Sequence, residues 1–535
     1  MKTNSLHITI NTGEKTVMLQ APRGKQLKGL LSDAGIKVPL PCAGMGRCGK
    51  CRVKFLKGAP KASFQDKSFL SEKEIDDGVR LLCMAVLTED AEIVIEGEQL
   101  KEENIHASGK MLKTIRKDNP APETMTSWGV AIDIGTTTIG LMIIGMNPQG
   151  EQYIYGVFSG TNHQRTFGAD VISRIAAAGE GHGDELFCLI RDDILELIEN
   201  ALAKFGVKKL DVITITGNTT MLHLLRGYDV TGLGRFPYEP YSLKTEKISV
   251  SDLWGNDIPE CLRHARVLIM PGISAFVGAD IVADIYAANM LKKSYSELLI
   301  DLGTNGEMAF WDGSELFVTS TAAGPVFEAG GISCGMAAVP GAISEVYIKR
   351  TPDSGRFEVK LVTILNKKPV GICGSGVLEA ISELVRNKFI DETGLLTEEY
   401  FSEGFPLTTE GKEIRLTQND IRNVQLGKAA LYAAQKELLK GKKPEYIAVC
   451  GGYGVSLMAE KLRYLKLFPY EESHVYTSPY SALSGCMLLL KAVLKGTSEE
   501  EKIIAELEDI VKRAHVVELS NKDNFTENYV DAMNF

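Results

Sequence analysis

Short alternating runs open the chain. HITINTGEKTVMLQAP (7–22) alternates apolar and polar residues on both sides of a glycine turn, which predicts a β-hairpin. QLKGLLSDAGI (26–36) has helical spacing, and CRVKFLKG (51–58) and AEIVIEGE (91–98) read as strands. After residue 127 the runs become longer and more apolar. GVAIDIGTTTIGLMII (129–144) and ELLIDLGTNGEMAFW (297–311) each predict strand, tight turn and strand. LDVITITGNTTMLHLL (210–225) and VLIMPGISAFVGADIVADIYA (267–287) predict strands that turn into helices. In AAGPVFEAGGISCGM (322–336) and GICGSGVLEAI (371–381) glycines sit at expected helix N-termini, where unpaired N–H groups can meet a phosphate or ribose.

Between these regions, QLKEENIHASGKMLKTIRKDNPAPETMTS (99–127) is polar, carries Pro-Ala-Pro and lacks a sustained apolar face, so it reads as a linker. The two hairpins are one motif repeated. Asp133 matches Asp301, Gly135 matches Gly303 and Thr136 matches Thr304, 168 residues apart, which predicts two similar domains rather than a short-period solenoid.

Composition narrows the function. The 535 residues are 44% hydrophobic and 24% charged, as in a globular protein with real cores. A net charge of −10 gives no electrostatic footprint for nucleic acid. The start MKTNSLHITI lacks the pattern of a signal peptide, and no apolar stretch reaches the length of a membrane span. The expected address is the cytoplasm, where clustered cysteines more often bind metal than form disulfides.

Cys42, Cys48, Cys51 and Cys83 are spaced C-x5-C-x2-C-x31-C. A cysteine-rich loop with one distant thiolate is the 2Fe–2S ferredoxin arrangement; a zinc site is the alternative, although zinc ribbons usually pair two short C-x2-C knuckles. Gly44, Gly46 and Gly49 suit a loop that wraps a cluster and aims N–H groups at sulfur. Cys188, Cys261, Cys334, Cys373, Cys450 and Cys486 show no short spacing, and no second cluster is expected.

In the two hairpins, Gly135, Thr136 and Thr137, and Gly303, Thr304 and Asn305, form turns whose N–H groups can approach phosphate oxygens. Asp133 and Asp301 can hold Mg²⁺ through water, and Glu307 adds an acidic group to the second loop. Either hairpin alone could be purely structural; two copies point to a nucleotide gripped from both sides.

The N-terminal strand and helix order resembles the β-grasp ferredoxins. The hairpin pair resembles the phosphate loops of the acetate and sugar kinase, actin and heat-shock ATPase superfamily. YIAVCGGYGVSLM (446–458) looks like that superfamily's adenosine loop, which assigns Gly451, Gly452 and Gly454 to cofactor binding, and Gly374 and Ser375 begin another glycine-rich helix start. The whole series, with FGADVISRI (167–175), TGNTTMLHLL, FVGADIVAD, AAGPVFEAGGISCGMAAVPGAI and the tail HVVELSNKDNFTENYVDAMNF, resembles the ATP-dependent reductive activators of corrinoid proteins.

That resemblance implies an α/β protein: a β-grasp 2Fe–2S domain over 1–98, a linker over 99–127, and two ribonuclease-H-like lobes over 128–295 and 296–535, the second with a C-terminal extension. It implies a 2Fe–2S cluster, ATP and Mg²⁺ as cofactors. The implied partners are the corrinoid protein of a methyltransferase system, a ferredoxin or reductase as electron donor and, on the family's precedent, a second copy of the chain. The implied activity is one-electron reduction of Co(II) cobalamin to Co(I) driven by ATP. A small-molecule kinase, or a redox and nucleotide sensor, would share the two-lobed fold. One departure is plain: TSPYSALSGCMLLL (477–490) stands where family members carry Gly-Asn-Ala-Ala.

Overall fold

A computed structural model describes residues 5–12, 16–34, 36, 51–95, 119–350, 357–408, 413–451, 459–470, 473–478, 481–519 and 523–535. The chain forms two compact units, Met1–Glu103 with Asn162–Leu189, and Asn104–Thr161 with Ile190–Phe535.

The first unit is built on β1 (Ser5–Asn11), β2 (Thr16–Pro22), β3 (Arg52–Lys57), β4 (Val79–Leu81) and β5 (Ala91–Val94), in the order β2-β1-β5-β3-β4. Among the described strands only the central β1–β5 pair is parallel. Ile8 and Ile10, two residues apart, face the same core as Leu27, Leu30 and Leu31 of the helix Leu27–Asp33. A period of two on the strand and of three to four on the helix thus buries one face of each. This is the expected β-grasp arrangement. Residues 99–118 of the expected 99–127 linker lie outside the described residues. In the segment Asn162–Leu189, the fully buried Arg174 donates to the carbonyl of Gly168 (3.0 Å) and to Gln164 (3.3 Å), and Gln164 donates to the Leu186 carbonyl. FGADVISRI is therefore held together by its own arginine.

The second unit carries two six-stranded sheets. The first comprises β6 (Ser127–Ile134), β7 (Thr138–Met146), β8 (Gln152–Thr161), β9 (Val212–Gly217), β10 (Glu246–Ser249) and β11 (Arg266–Ile269), ordered β10-β11-β9-β6-β7-β8. The second begins with β12 (Glu297–Leu302), β13 (Gly306–Trp311) and β14 (Leu316–Thr321). A smaller sheet follows, of β15 (Ala342–Arg350), β16 (Phe357–Thr363) and β17 (Gly371–Ile372), then a ribbon of β18 (Phe405–Pro406) and β19 (Arg415–Leu416). β20 (Tyr446–Cys450), β21 (His474–Thr477) and β22 (Ala514–Val516) complete the second large sheet as β21-β20-β12-β13-β14-β22.

Without the edge strands β10 and β22, the two sheets share one plan. Three antiparallel strands are followed by two that return parallel to the first. The repeat in sequence is a repeat in topology, the ribonuclease-H-like plan used twice. The central strands are buried along nearly their whole length, which explains their continuous apolar runs.

AAGPVFEAGG does not open a helix. Pro325–Glu328 makes one 3-10 turn, then Ala329 takes a left-handed conformation (φ 58°) and the Gly330 N–H closes on the Pro325 carbonyl at 2.7 Å. That closure ends the turn before a second can form. GICGSG does open a helix, Gly374–Arg386.

The helix Ser481–Lys495, which follows β21, packs on the first sheet. A Cβ at Gly129 or Gly140 would meet Leu490 or Leu483, Thr214 donates to the Cys486 carbonyl (3.1 Å), and Gln152 donates to the Lys491 carbonyl (2.7 Å). The same helix crosses Ala279–Ala287 so closely that a Cβ on Gly485 would lie 2.1 Å from the Ala283 carbonyl oxygen. The segment that departs from the family pattern thus retains the small residue the crossing needs. Gly485→Ala should lower the urea midpoint, with overpacking costing roughly 1–3 kcal/mol. Gly183→Ala, at the start of Gly183–Phe205 with no described atom within 4 Å of the added carbon, should not lower it. Equal midpoints for both variants would remove the close crossing as a structural requirement.

Candidate functional site

The matched hairpins present their turns in the same way. Asp133 pairs across β6–β7 with Gly140, and the Gly135 N–H closes on the Thr138 carbonyl at 3.0 Å. Asp301 pairs across β12–β13 with Glu307, and the Gly303 N–H closes on the Asn305 carbonyl at 3.0 Å. The turns then meet. Thr136 and Thr304 share a hydrogen bond of 3.1 Å between their hydroxyls. Thr137 donates to Glu328 at 2.6 Å, and Thr304 donates to the same carboxylate oxygen at 3.3 Å.

Carboxylates crowd around this junction. Asp133 and Asp301 come from the first strand of each sheet and Glu307 from β13. Asp280 and Asp284, one helical turn apart on Ala279–Ala287, supply two more. Withdrawal from water raises the Asp133 carboxyl well above the usual range, and the charges of Asp280 and Asp301 add to the effect. Burial pushes Asp280 up to about 6, against a hydrogen bond from the Ile281 N–H. Asp301 is pushed up to about 7 by burial and by Asp280 and Glu328, with a hydrogen bond accepted from Asp284 opposing. Glu307 is raised by burial and by Asp280 and Asp301. Like charges facing each other across a strand pair are destabilising in isolation, so Asp301 and Glu307 are a poor choice for stability alone.

The site also holds buried hydroxyls that have no partner among the described residues. Thr216, the register partner of Asp133 in β9, and Thr138 in the first loop both have hydroxyl oxygens of this kind. Together with two glycine turns, this donor set fits a phosphate chain; among the described residues no group of three or more acids is placed to ligate a metal ion directly.

The glycines divide by role. Gly451 has φ 99°, and a Cβ there would lie 2.6 Å from the Asp301 carboxylate, so glycine lets the chain after β20 pass beside that acid. Gly452 and Gly454 lie outside the described residues. Gly374 backs onto the Phe327 carbonyl, only 1.8 Å from where its Cβ would be, and Ser375 donates to the Ser344 carbonyl at 3.3 Å. This helix start therefore braces the turn that carries Glu328. The sequence reading assigned no role to Asp280, Asp284, Glu328, Thr138 or Thr216. Two acids four residues apart in the otherwise apolar FVGADIVAD were the available signal.

In the first unit, Cys51 precedes β3 and Cys83 lies in the 3-10 turn Leu82–Met84, each 3% exposed. Their sulfurs are 3.3 Å apart, well beyond the ~2.05 Å of a disulfide. Two thiolates with ~2.3 Å bonds to one tetrahedral metal sit roughly 3.8 Å apart, so the pair fits a shared metal after a small adjustment. The Leu82 N–H donates to the Cys51 carbonyl (2.6 Å), and buried Asp66 accepts from the Leu81 N–H (2.7 Å), which fixes the turn carrying Cys83. Cys42 and Cys48 lie outside the described residues.

Comparison with known proteins agrees in each region. Residues 9–88 match the 2Fe-2S iron-sulfur cluster binding domain, residues 128–293 the RACo middle region, and residues 296–535 the C-terminal domain of RACo, the ASKHA domain. The corrinoid activation enzyme RamQ of Eubacterium limosum is 31% identical over 443 residues, covering 75% of this chain and 69% of the relative. A [Co(II) methylated amine-specific corrinoid protein] reductase of Methanosarcina barkeri is 24% identical over 381 residues, covering 64% and 66%. A solved structure of a reductive activator for corrinoid,iron-sulfur protein has the same fold, with a TM-score of 0.68 at 24% identity over 99% of this chain and 98% of that one. A 2Fe-2S domain joined to the RACo middle region and ASKHA domain, with a relative of this identity and coverage, places the chain in the RACo family of reductive corrinoid activators.

Proposed function

We propose that this protein restores a corrinoid protein of a methyltransferase system from Co(II) to Co(I), passing it one electron at the expense of ATP. The observation that carries this reading is the Thr136–Thr304 junction: loops from two sheets meet among carboxylates, in a chain that also brings Cys51 and Cys83 together. Residues 1–98 carry the electron, 99–127 tether, and the lobes 128–295 and 296–535 bind ATP. The reduction is uphill for a plant-type cluster near −400 mV, and each ~59 mV of shortfall costs tenfold for one electron.

Cys42, Cys48, Cys51 and Cys83 hold the 2Fe–2S cluster, which when bound accepts and releases a single electron. A ferredoxin or reductase supplies that electron in the cytoplasm. The glycine turns at Gly135 and Gly303 offer N–H groups to the phosphates, while Asp133, Asp301 and Glu307 hold Mg²⁺ through its water shell. Gly451, Gly452 and Gly454 give the adenosine close access to backbone. The nucleotide biases the corrinoid partner only through differential affinity for its states, so partner and ATP must each alter the binding of the other.

Three measurements test this. Anaerobic protein should contain about two iron and two sulfide per chain, and Cys83→Ser should lose the visible absorption; zinc without iron after reconstitution would exclude the cluster. Co(II) corrinoid protein should accelerate ATP hydrolysis, and Co(I) absorbance should grow only with ATP. Asp301→Asn should slow hydrolysis by roughly tenfold or more, leaving the cluster spectrum intact. Hydrolysis indifferent to the corrinoid protein but stimulated by a metabolite would favour a kinase.

The raised acids also set a pH dependence. With Asp280 near 6 and Asp301 near 7, both above the ordinary carboxylate value, the folded state holds protons that the unfolded chain has released. Their contribution is fully present below about pH 4 and is lost as pH rises through 6 to 7. Between pH 5 and 8 the nucleotide-free protein should lose thermal stability more steeply than Asp301→Asn does, and Mg²⁺ with ATP should reduce the slope. Parallel profiles for wild type and variant would count against a shared acidic site.

A further inference from the structure

Glu328 occupies an unusual place. One of its oxygens accepts hydroxyl hydrogen bonds from both phosphate loops, Thr137 of the first and Thr304 of the second, and Thr304 is in turn bonded to Thr136. An anionic oxygen gathering hydroxyls from two glycine turns has the chemistry of a phosphate oxygen. Its other oxygen faces Gly303, 3.8 Å from where that residue's Cβ would be.

The turn carrying Glu328 is held firmly. Val326 and Phe327 are buried, and Gly374 and Gly427 lack the Cβ atoms that would strike Phe327 and Val326. Ala329 follows at φ 58°, a conformation that side-chain-bearing residues seldom adopt and that persists where surrounding structure imposes it. Stability alone would not place a carboxylate here, because it adds a like charge next to the hairpin that carries Asp301 and Glu307. A neutral acceptor would join the threonines without that repulsion.

We propose that Glu328 is an internal stand-in for the terminal phosphate of ATP. In the nucleotide-free protein its carboxylate ties the two loops together through Thr137 and Thr304. An arriving triphosphate takes over these hydroxyls and expels the carboxylate by like-charge repulsion, so the Pro325–Glu328 turn senses whether a third phosphate is present. Glu328 is a positioning residue, and the inference rests on the nucleotide reading above.

The test compares wild-type, Glu328→Gln and Glu328→Asp full-length protein by calorimetry, with Mg²⁺ and a non-hydrolysable ATP analogue, ADP or adenosine. Gln lacks the charge and Asp is too short to reach both threonines, so either variant reads the proposal if the other fails to fold. The analogue should bind at least about fivefold more tightly to each variant, ADP less so, and adenosine equally to all three. A merely structural glutamate would not yield a gain confined to the triphosphate. Wild-type binding of the analogue with unchanged or weaker affinity in the variants would overturn the stand-in alone. Failure of wild-type protein to bind any of the three ligands would overturn the nucleotide reading, and this inference with it.

Discussion

Negative charge confined where water is scarce is the constraint on which the second unit turns. Asp133, Asp280, Asp301 and Glu307 are each pushed towards the protonated form by burial, three of them also by one another. Such a group is costly to assemble, and folding alone gives no reason to assemble it. The supporting structure is correspondingly rigid: β6 and β12 are central strands, and Asp280 and Asp284 sit on a helix crossed at backbone contact by Ser481–Lys495. The cation and nucleotide proposed above would supply the missing half of the electrostatics.

Much of this was legible beforehand because it is local. A hairpin turn needs only its own glycine, and the cysteine spacing carries its chemistry within one stretch and one distant residue. Hence the β-grasp order, the duplicated hairpins and the strand-to-helix joints could all be read from short windows. Asp280, Asp284 and Glu328 were hidden for the opposite reason. Each lies in a quoted motif, yet its meaning depends on a neighbour from another element, and no periodicity reports that Glu328 meets Thr137. The expected helix at AAGPVFEAGG failed on a related point. Glycine frees the backbone for several endings, and only the packed surroundings of Ala329 select the left-handed one.

The same contrast separates the two units chemically. In the first, Cys51 and Cys83 are gathered by backbone hydrogen bonds and by the carboxylate of Asp66, all within one small sheet. In the second, the loops belong to different sheets and are joined by side-chain hydroxyls. A site built on backbone holds its shape through an electron's arrival, whereas hydroxyls exchange partners readily, as the proposed nucleotide site requires.

The helix Ser481–Lys495 has a consequence for how the protein is made. Its leucines fill the space left open at Gly129 and Gly140, on strands synthesised about 340 to 360 residues earlier. A growing chain emerging at about 5–20 residues per second therefore carries an uncovered sheet face for tens of seconds before the covering helix exists. The first sheet can pair its strands during synthesis, but its face is covered only once residues 481–495 have emerged, and in that interval the nascent protein is a natural client for chaperones.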